Sequence, residues 1–149
     1  MGSTFIDYRA QGFEANDGAI EVLLALLVQE IDKLDQIPDW LREARDEWEL
    51  QATAGFGFGV MPELDRFITD DSRRYTVIDL TRRALKELES WGDPITSETL
   101  NDLETGGKNS TFTEDVPAAI FLRTARYFLK LLEGTLEPWE TDARFEQQP

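Results

Sequence analysis

Residues Gly18 to Leu34 read GAIEVLLALLVQEIDKL, and this stretch decides the fold. Ile20, Leu23, Leu24, Leu27, Val28, Ile31 and Leu34 recur at helical spacing and make one wide apolar face. Val22 and Leu26 fall off that face as a second, narrower stripe. Asn16 or Asp17 suits the N-cap, and Glu21 suits the positive end of the helix dipole in the first turn. A helix apolar on two sides belongs at the centre of its domain. The alternative is that the Val22/Leu26 stripe meets a second copy of the chain, which predicts a homodimer.

Outward from this helix, the spacing predicts three more long ones. A second runs from Pro38 to Thr53, with Pro38 at the first position, where its missing N–H costs nothing. There Trp40, Leu41, Ala44, Trp48 and Ala52 share one arc, and Asp39, Glu43, Asp46, Glu47 and Glu49 share the opposite one. A third runs from Ser72 to Trp91, capped by Asp70, Asp71 or Ser72 and stopped by Gly92 and Pro94. A fourth runs from Glu114 to Glu133 and is apolar around more than half its circumference, which places it in the core. Short helices are expected over Glu63–Ile68 and Ser97–Leu103, and a loop over Thr105–Thr113.

No Asn-Gly or Asp-Gly pair stands between alternating runs, so no hairpin is predicted. Residues 1–15 are expected as an extended arm, with Thr4 to Tyr8 lying beside the helices. Residues 134–149 are expected as a loosely held acidic tail that Trp139 and Phe145 could anchor. The fold class expected is all-α: one domain over residues 1–149, a bundle or orthogonal array of four long helices plus short ones.

The 149 residues carry thirty acids against fifteen bases, a net charge of −15, with no Cys and no His. These absences exclude a disulfide scaffold, a thiol nucleophile, Cys/His zinc sites and any His-based catalytic pair. No catalytic residue, metal site or cofactor is therefore assigned, and the reading leans away from an enzyme. The charge repels nucleic acid and anionic lipid and attracts basic proteins. The longest apolar stretch, Ala19 to Val28, is too short to span a bilayer. The first fifteen residues have neither the basic start nor the apolar core of a secretory signal. A cytoplasmic location is expected.

Three constellations bear on chemistry. The run Gly55-Phe56-Gly57-Phe58-Gly59 lacks the Lys of a phosphate-binding loop and the spacing of a dinucleotide fingerprint, so it is read as a turn. Glu43-x-x-Asp46 has the spacing that all-α magnesium-dependent nucleotide hydrolases use, but the third helix supplies no matching pair. The acidic arc of the second helix is the strongest: Gln29 to Glu49 holds eight acids and three bases, and Leu50 falls within the arc as an apolar anchor. Asp39, Glu43, Asp46, Glu47 and Leu50 are the candidate partner-binding residues.

Basic residues form two islands. Arg73, Arg74, Arg82, Arg83 and Lys86 lie on the third helix and are expected to pair with carboxylates of the same chain. Arg123, Arg126 and Lys130 make a strip on the fourth helix and are the candidate anion-binding residues. The function expected is an acidic, non-enzymatic binding module that docks a basic protein. In bulk profile, though in no motif, this is similar to the bacterial toxin-neutralising immunity proteins. The alternative is a helical ligand-binding protein or a magnesium-dependent nucleotide hydrolase that works with carboxylates alone.

Overall fold

Residues 3–16 form a β-hairpin, not an extended arm. In the computed structural model, which describes residues 2–55, 59–107 and 111–137, β1 (Ser3–Tyr8) pairs antiparallel with β2 (Gln11–Asn16), Tyr8 opposite Gln11 and Ser3 opposite Asn16. Ile6, Tyr8, Phe13 and Ala15 are buried on one face, while Ser3, Phe5 and Asp7 of β1 face solvent. The connection is two residues, Arg9 and Ala10, with φ of 50° and 64°. That is the left-handed pair a tight hairpin demands, and it normally falls to Asn or Gly. Here it is held from outside. The Arg9 N–H donates to Asp65 (3.1 Å), the Arg9 guanidinium lies 5.1 Å from the Tyr8 ring centre, and the Tyr8 hydroxyl donates to the Ile68 carbonyl (3.2 Å).

The sheet overturns the all-α expectation. Among the described residues the fold is a two-stranded antiparallel sheet with six helices, four of them long, and it is not a four-helix bundle. The helices are α1 (Asp17–Asp32), α2 (Asp39–Thr53), α3 (Leu64–Phe67), α4 (Asp71–Ser90), α5 (Ser97–Asn101) and α6 (Ala118–Glu133).

α1 follows β2 without a linker. The Asn16 side chain accepts from the Ala19 N–H (3.1 Å) as N-cap, and the Asp17 N–H donates to the Gly2 carbonyl (3.0 Å). α1 packs against α2, α4, α6 and β2. Val22 is 0% exposed and Leu26 2%, so the stripe proposed for a homodimer is covered within one chain and offers a second copy no surface.

α4 begins where Asp70 accepts from the Arg73 N–H (2.9 Å) and buries Val77, Ile78, Leu80, Thr81, Ala84 and Leu88. The last helix starts at Ala118, four residues later than expected. Val116 is drawn instead into a short antiparallel bridge with Ile95 (2.8 and 2.9 Å), and the Ala118 N–H donates to Asp93 (3.0 Å). α6 is also less enclosed than its composition suggests. Phe121, Ala125, Phe128, Leu131 and Leu132 are buried, but Ile120 is 42% exposed.

Two expectations fall partly outside the described residues: the aromatics of the Gly55–Gly59 run, and the anchors Trp139 and Phe145 of the tail. The tail is held where it begins, because Leu136 is buried. No described helix is long and apolar enough to cross a membrane.

Candidate functional site on the outer face of α2

α2 is divided by its sequence into two halves with different work. Leu41, Ala44, Trp48 and Ala52 are buried, and Trp48 fixes the helix most firmly. Its indole N–H donates to the Pro62 carbonyl (2.8 Å), and its ring meets Phe67 edge-on at 6.3 Å. With that side pinned, the other side has to face water.

At 100° per residue, Asp39, Glu43 and Asp46 fall within about 40° of Leu50 around the helix. All four are exposed, and Glu47 at the edge of the arc is half-buried. Leu50 keeps 48% of its surface open. All five candidate partner-binding residues of the sequence reading thus share one face, with Glu47 at its edge. Internal partners moderate their charge. Arg66 reaches both Glu63 (2.9 Å) and Glu43 (3.5 Å). Arg45 grips both oxygens of Asp32 (2.9 and 3.0 Å) and also donates to Asp46 (3.2 Å) and Glu49. Hydrogen bonding to Asp32 raises the Arg45 pKa further above its ordinary value. The Glu47 carboxylate accepts from the Gln51 amide (3.3 Å), whose oxygen accepts from the Met61 N–H (2.9 Å). Exposed Met61 (51%) therefore flanks the acidic face as a second apolar contact.

These pairings bear on the magnesium reading. Glu43 and Asp46, the E-x-x-D pair, are each engaged by an arginine, Arg66 and Arg45 respectively. Among the described residues no group of three or more acids gathers to hold a metal ion.

The anion-binding strip is divided by the fold. Arg123 and Lys130 lie against the Tyr127 ring, 5.1 and 5.9 Å from its centre, whereas Arg126 turns away to Glu89 (3.8 Å). Arg123 lines a cleft of about 320 Å³ between β2 and α6, with Phe13, Glu14, Asn16, Ile120 and Tyr127 among its walls. Glu14 contributes a carboxylate to the same wall, so the cleft is mixed in sign. In the other basic island Arg82 pairs with Glu133 (2.8 Å), Arg83 with Asp79 (2.8 Å) and Arg74 with Asp71 (3.3 Å), while Arg73 donates to the Phe67 carbonyl (3.1 Å).

Sequence reasoning missed two features. One is a set of arginines stacked on aromatics around α3: Arg9 on Tyr8, Arg66 on Phe67 (4.7 Å) and Arg73 on Trp40 (5.0 Å). The adjacent pairs Tyr8-Arg9 and Arg66-Phe67 were a readable signal, whereas Arg73 over Trp40 needed the tertiary fold. The other is a cavity of about 530 Å³ at the end of α2, lined by Glu49, Thr53, Leu100, Asn101, Glu104 and Thr105 among others. No spacing in the sequence connects residues 49 and 104. No known protein family, curated protein or solved structure matches this chain.

Proposed function

We propose that this protein is a small acidic binding module that docks a basic protein partner through the outer face of α2. The observation that carries the reading is Leu50, a large apolar side chain left 48% exposed in the middle of Asp39, Glu43, Asp46 and Glu47. An anchor ringed by charge is the arrangement a steered interface uses: charge speeds the encounter, and apolar contact slows release. The net charge of −15 extends the same field over the whole surface. The bulk profile supports a toxin-neutralising role in the bacterial cytoplasm as the particular form of this reading.

The test starts from a partner recovered from the native cell and purified. With all four acids neutralised (Asp39→Asn, Glu43→Gln, Asp46→Asn, Glu47→Gln), association should slow about tenfold or more at low salt. Leu50→Ala should instead speed dissociation. Binding indifferent both to these substitutions and to salt would end the proposal.

A further inference from the structure

β1 has a second edge that β2 does not use. Tyr8 and Gln11 close the two-residue turn as a directly bonded pair, and bonding alternates from there. Tyr8, Ile6 and Thr4 turn their N–H and C=O groups toward β2, and Asp7, Phe5 and Ser3 turn theirs outward. The Gly2 carbonyl, which accepts from the Asp17 N–H (3.0 Å), continues the same alternation. Among the described residues no strand pairs with the outer row and no backbone hydrogen bond reaches it. The side chains of Ser3, Phe5 and Asp7 are all exposed. β2 differs, because its Glu14 and Asn16 line the cleft against α6.

A bare edge normally carries a device that keeps a second strand from adding, such as a lysine, a proline or a bulge. Ser3–Tyr8 reads STFIDY and pairs in unbroken register, so it has none of the three. Its one charge, Asp7, stands next to the turn. Phe5 stands in the middle. It rests on Gly12, where a side chain would come within 2.7 Å of its ring, and still keeps 54% of its surface open.

The strand's own sequence says what fits this edge. Outward groups bond only to outward groups, and two antiparallel copies bring all three residues of the row together in one register, centred on Phe5. Phe5 then opposes its own copy, and Ser3 of each strand opposes Asp7 of the other. No charge faces a like charge. The two Asp7 side chains lie four residues apart along the sheet, about 13 Å, and the two Glu14 side chains three strand spacings apart, about 14 Å. Both distances exceed the Debye length of about 8 Å at physiological ionic strength. A register centred on Asp7 would set two carboxylates face to face, and one centred on Ser3 would join a single pair.

We infer that two copies of this chain pair through their β1 edges, antiparallel about Phe5, to make a four-stranded sheet. The contact is two-fold and uses the edge up, so assembly stops at two. One short strand buries less than the roughly 1,200 Å² of a stable interface, so the dimer forms at high protein concentration. Each copy carries −15, so salt strengthens the dimer by screening, the reverse of its effect on a basic partner. The inference stands or falls apart from the docking reading.

Sedimentation equilibrium of the pure full chain should show monomer and dimer, the dimer fraction rising with concentration and rising again from 20 to 500 mM NaCl. Phe5→Lys should weaken dimerisation about fivefold or more, although it lowers the net charge of each copy. The chain has no cysteine, so introduced thiols report the register. The shortest bis-maleimide should join Ser3→Cys to Asp7→Cys in a mixture of the two, and should join neither variant to itself. Thermal unfolding should match the parent for all three variants, since the positions are exposed. A chain that stays monomeric at every concentration and salt, as an edge suited only to a foreign basic strand would leave it, overturns the inference. So does a dimer that survives Phe5→Lys, an assembly larger than two, or Asp7→Cys linking to itself as readily as to Ser3→Cys.

Discussion

Ala10 carries a methyl group through a backbone region that costs an L-residue about 1–2 kcal/mol. Glycine there would relieve the strain while adding freedom to the unfolded chain, a smaller opposing effect. Ala10→Gly is therefore expected to stabilise by about 0.5–1 kcal/mol, or about 2 °C in Tm by thermal unfolding. Gly12 is the opposite case. A Cβ there would press on the Ile6 carbonyl and come within 2.7 Å of the Phe5 ring, so Gly12→Ala should cost about 1–3 kcal/mol by the same measurement. These residues also explain why the hairpin was illegible. The signal sought in a sequence is a residue that tolerates positive φ unaided. Arg9 and Ala10 adopt it in a turn that is held from outside, where Asp65, some 55 positions later, accepts the Arg9 N–H. The long-range contact supplies what local propensity lacks, and no local rule sees it.

At the scale of elements, the helices were legible because their apolar spacing needs no outside help. Asn16, Asp70 and Thr96 cap α1, α4 and α5 as their residue types suggest. The start of α6 was not legible, because Val116 prefers its bridge to Ile95. The acidic face of α2 was legible for the same reason the helix was. The cavity beside it was not, since its walls come from two distant parts of the chain.

The join of hairpin to α1 yields an element-scale prediction. The Thr4 hydroxyl donates to Asp17 (2.5 Å) and accepts from the Val60 N–H (3.0 Å), tying β1, α1 and the segment before α3. Glu21 stands one turn further along α1, and its pKa is pushed from 4.5 to about 7, by burial first and by the Asp17 charge second. The folded state thus holds the Glu21 proton more tightly than the unfolded chain does. Its contribution to stability is fully present below about pH 4.5 and is lost as pH rises through about 7. Glu21→Gln keeps a neutral side chain at every pH. It should match the parent near pH 4 and exceed it by about 2–4 °C in Tm at pH 8. An unchanged difference across that range would show that Glu21 is not the titrating group.

Over the whole molecule, fifteen uncompensated negative charges repel one another and are screened by salt, with a Debye length of about 10 Å at 0.1 M. Two readouts should therefore move in opposite directions. Raising NaCl from 20 to 500 mM should raise the Tm by several degrees, because self-repulsion opposes the compact state. The same change should slow association with a basic partner, because steering fades. The core that resists this repulsion is centred on α1, with Trp48 as the largest buried side chain beneath it. Trp48→Ala should cost about 3–5 kcal/mol in denaturant unfolding, by emptying that space and orphaning the Pro62 carbonyl.

The position of α1 in the chain has a consequence during synthesis. α1 is made before α2, α4 and α6, the helices that pack on it, and α6, which covers part of it, is made last of the six. A growing polypeptide has to emerge with an uncovered oily cylinder and keep it from neighbouring nascent chains until α6 follows. Ribosome-bound chains arrested after α5 should therefore be trapped by chaperones and cut readily by protease, and chains long enough to free α6 should escape both.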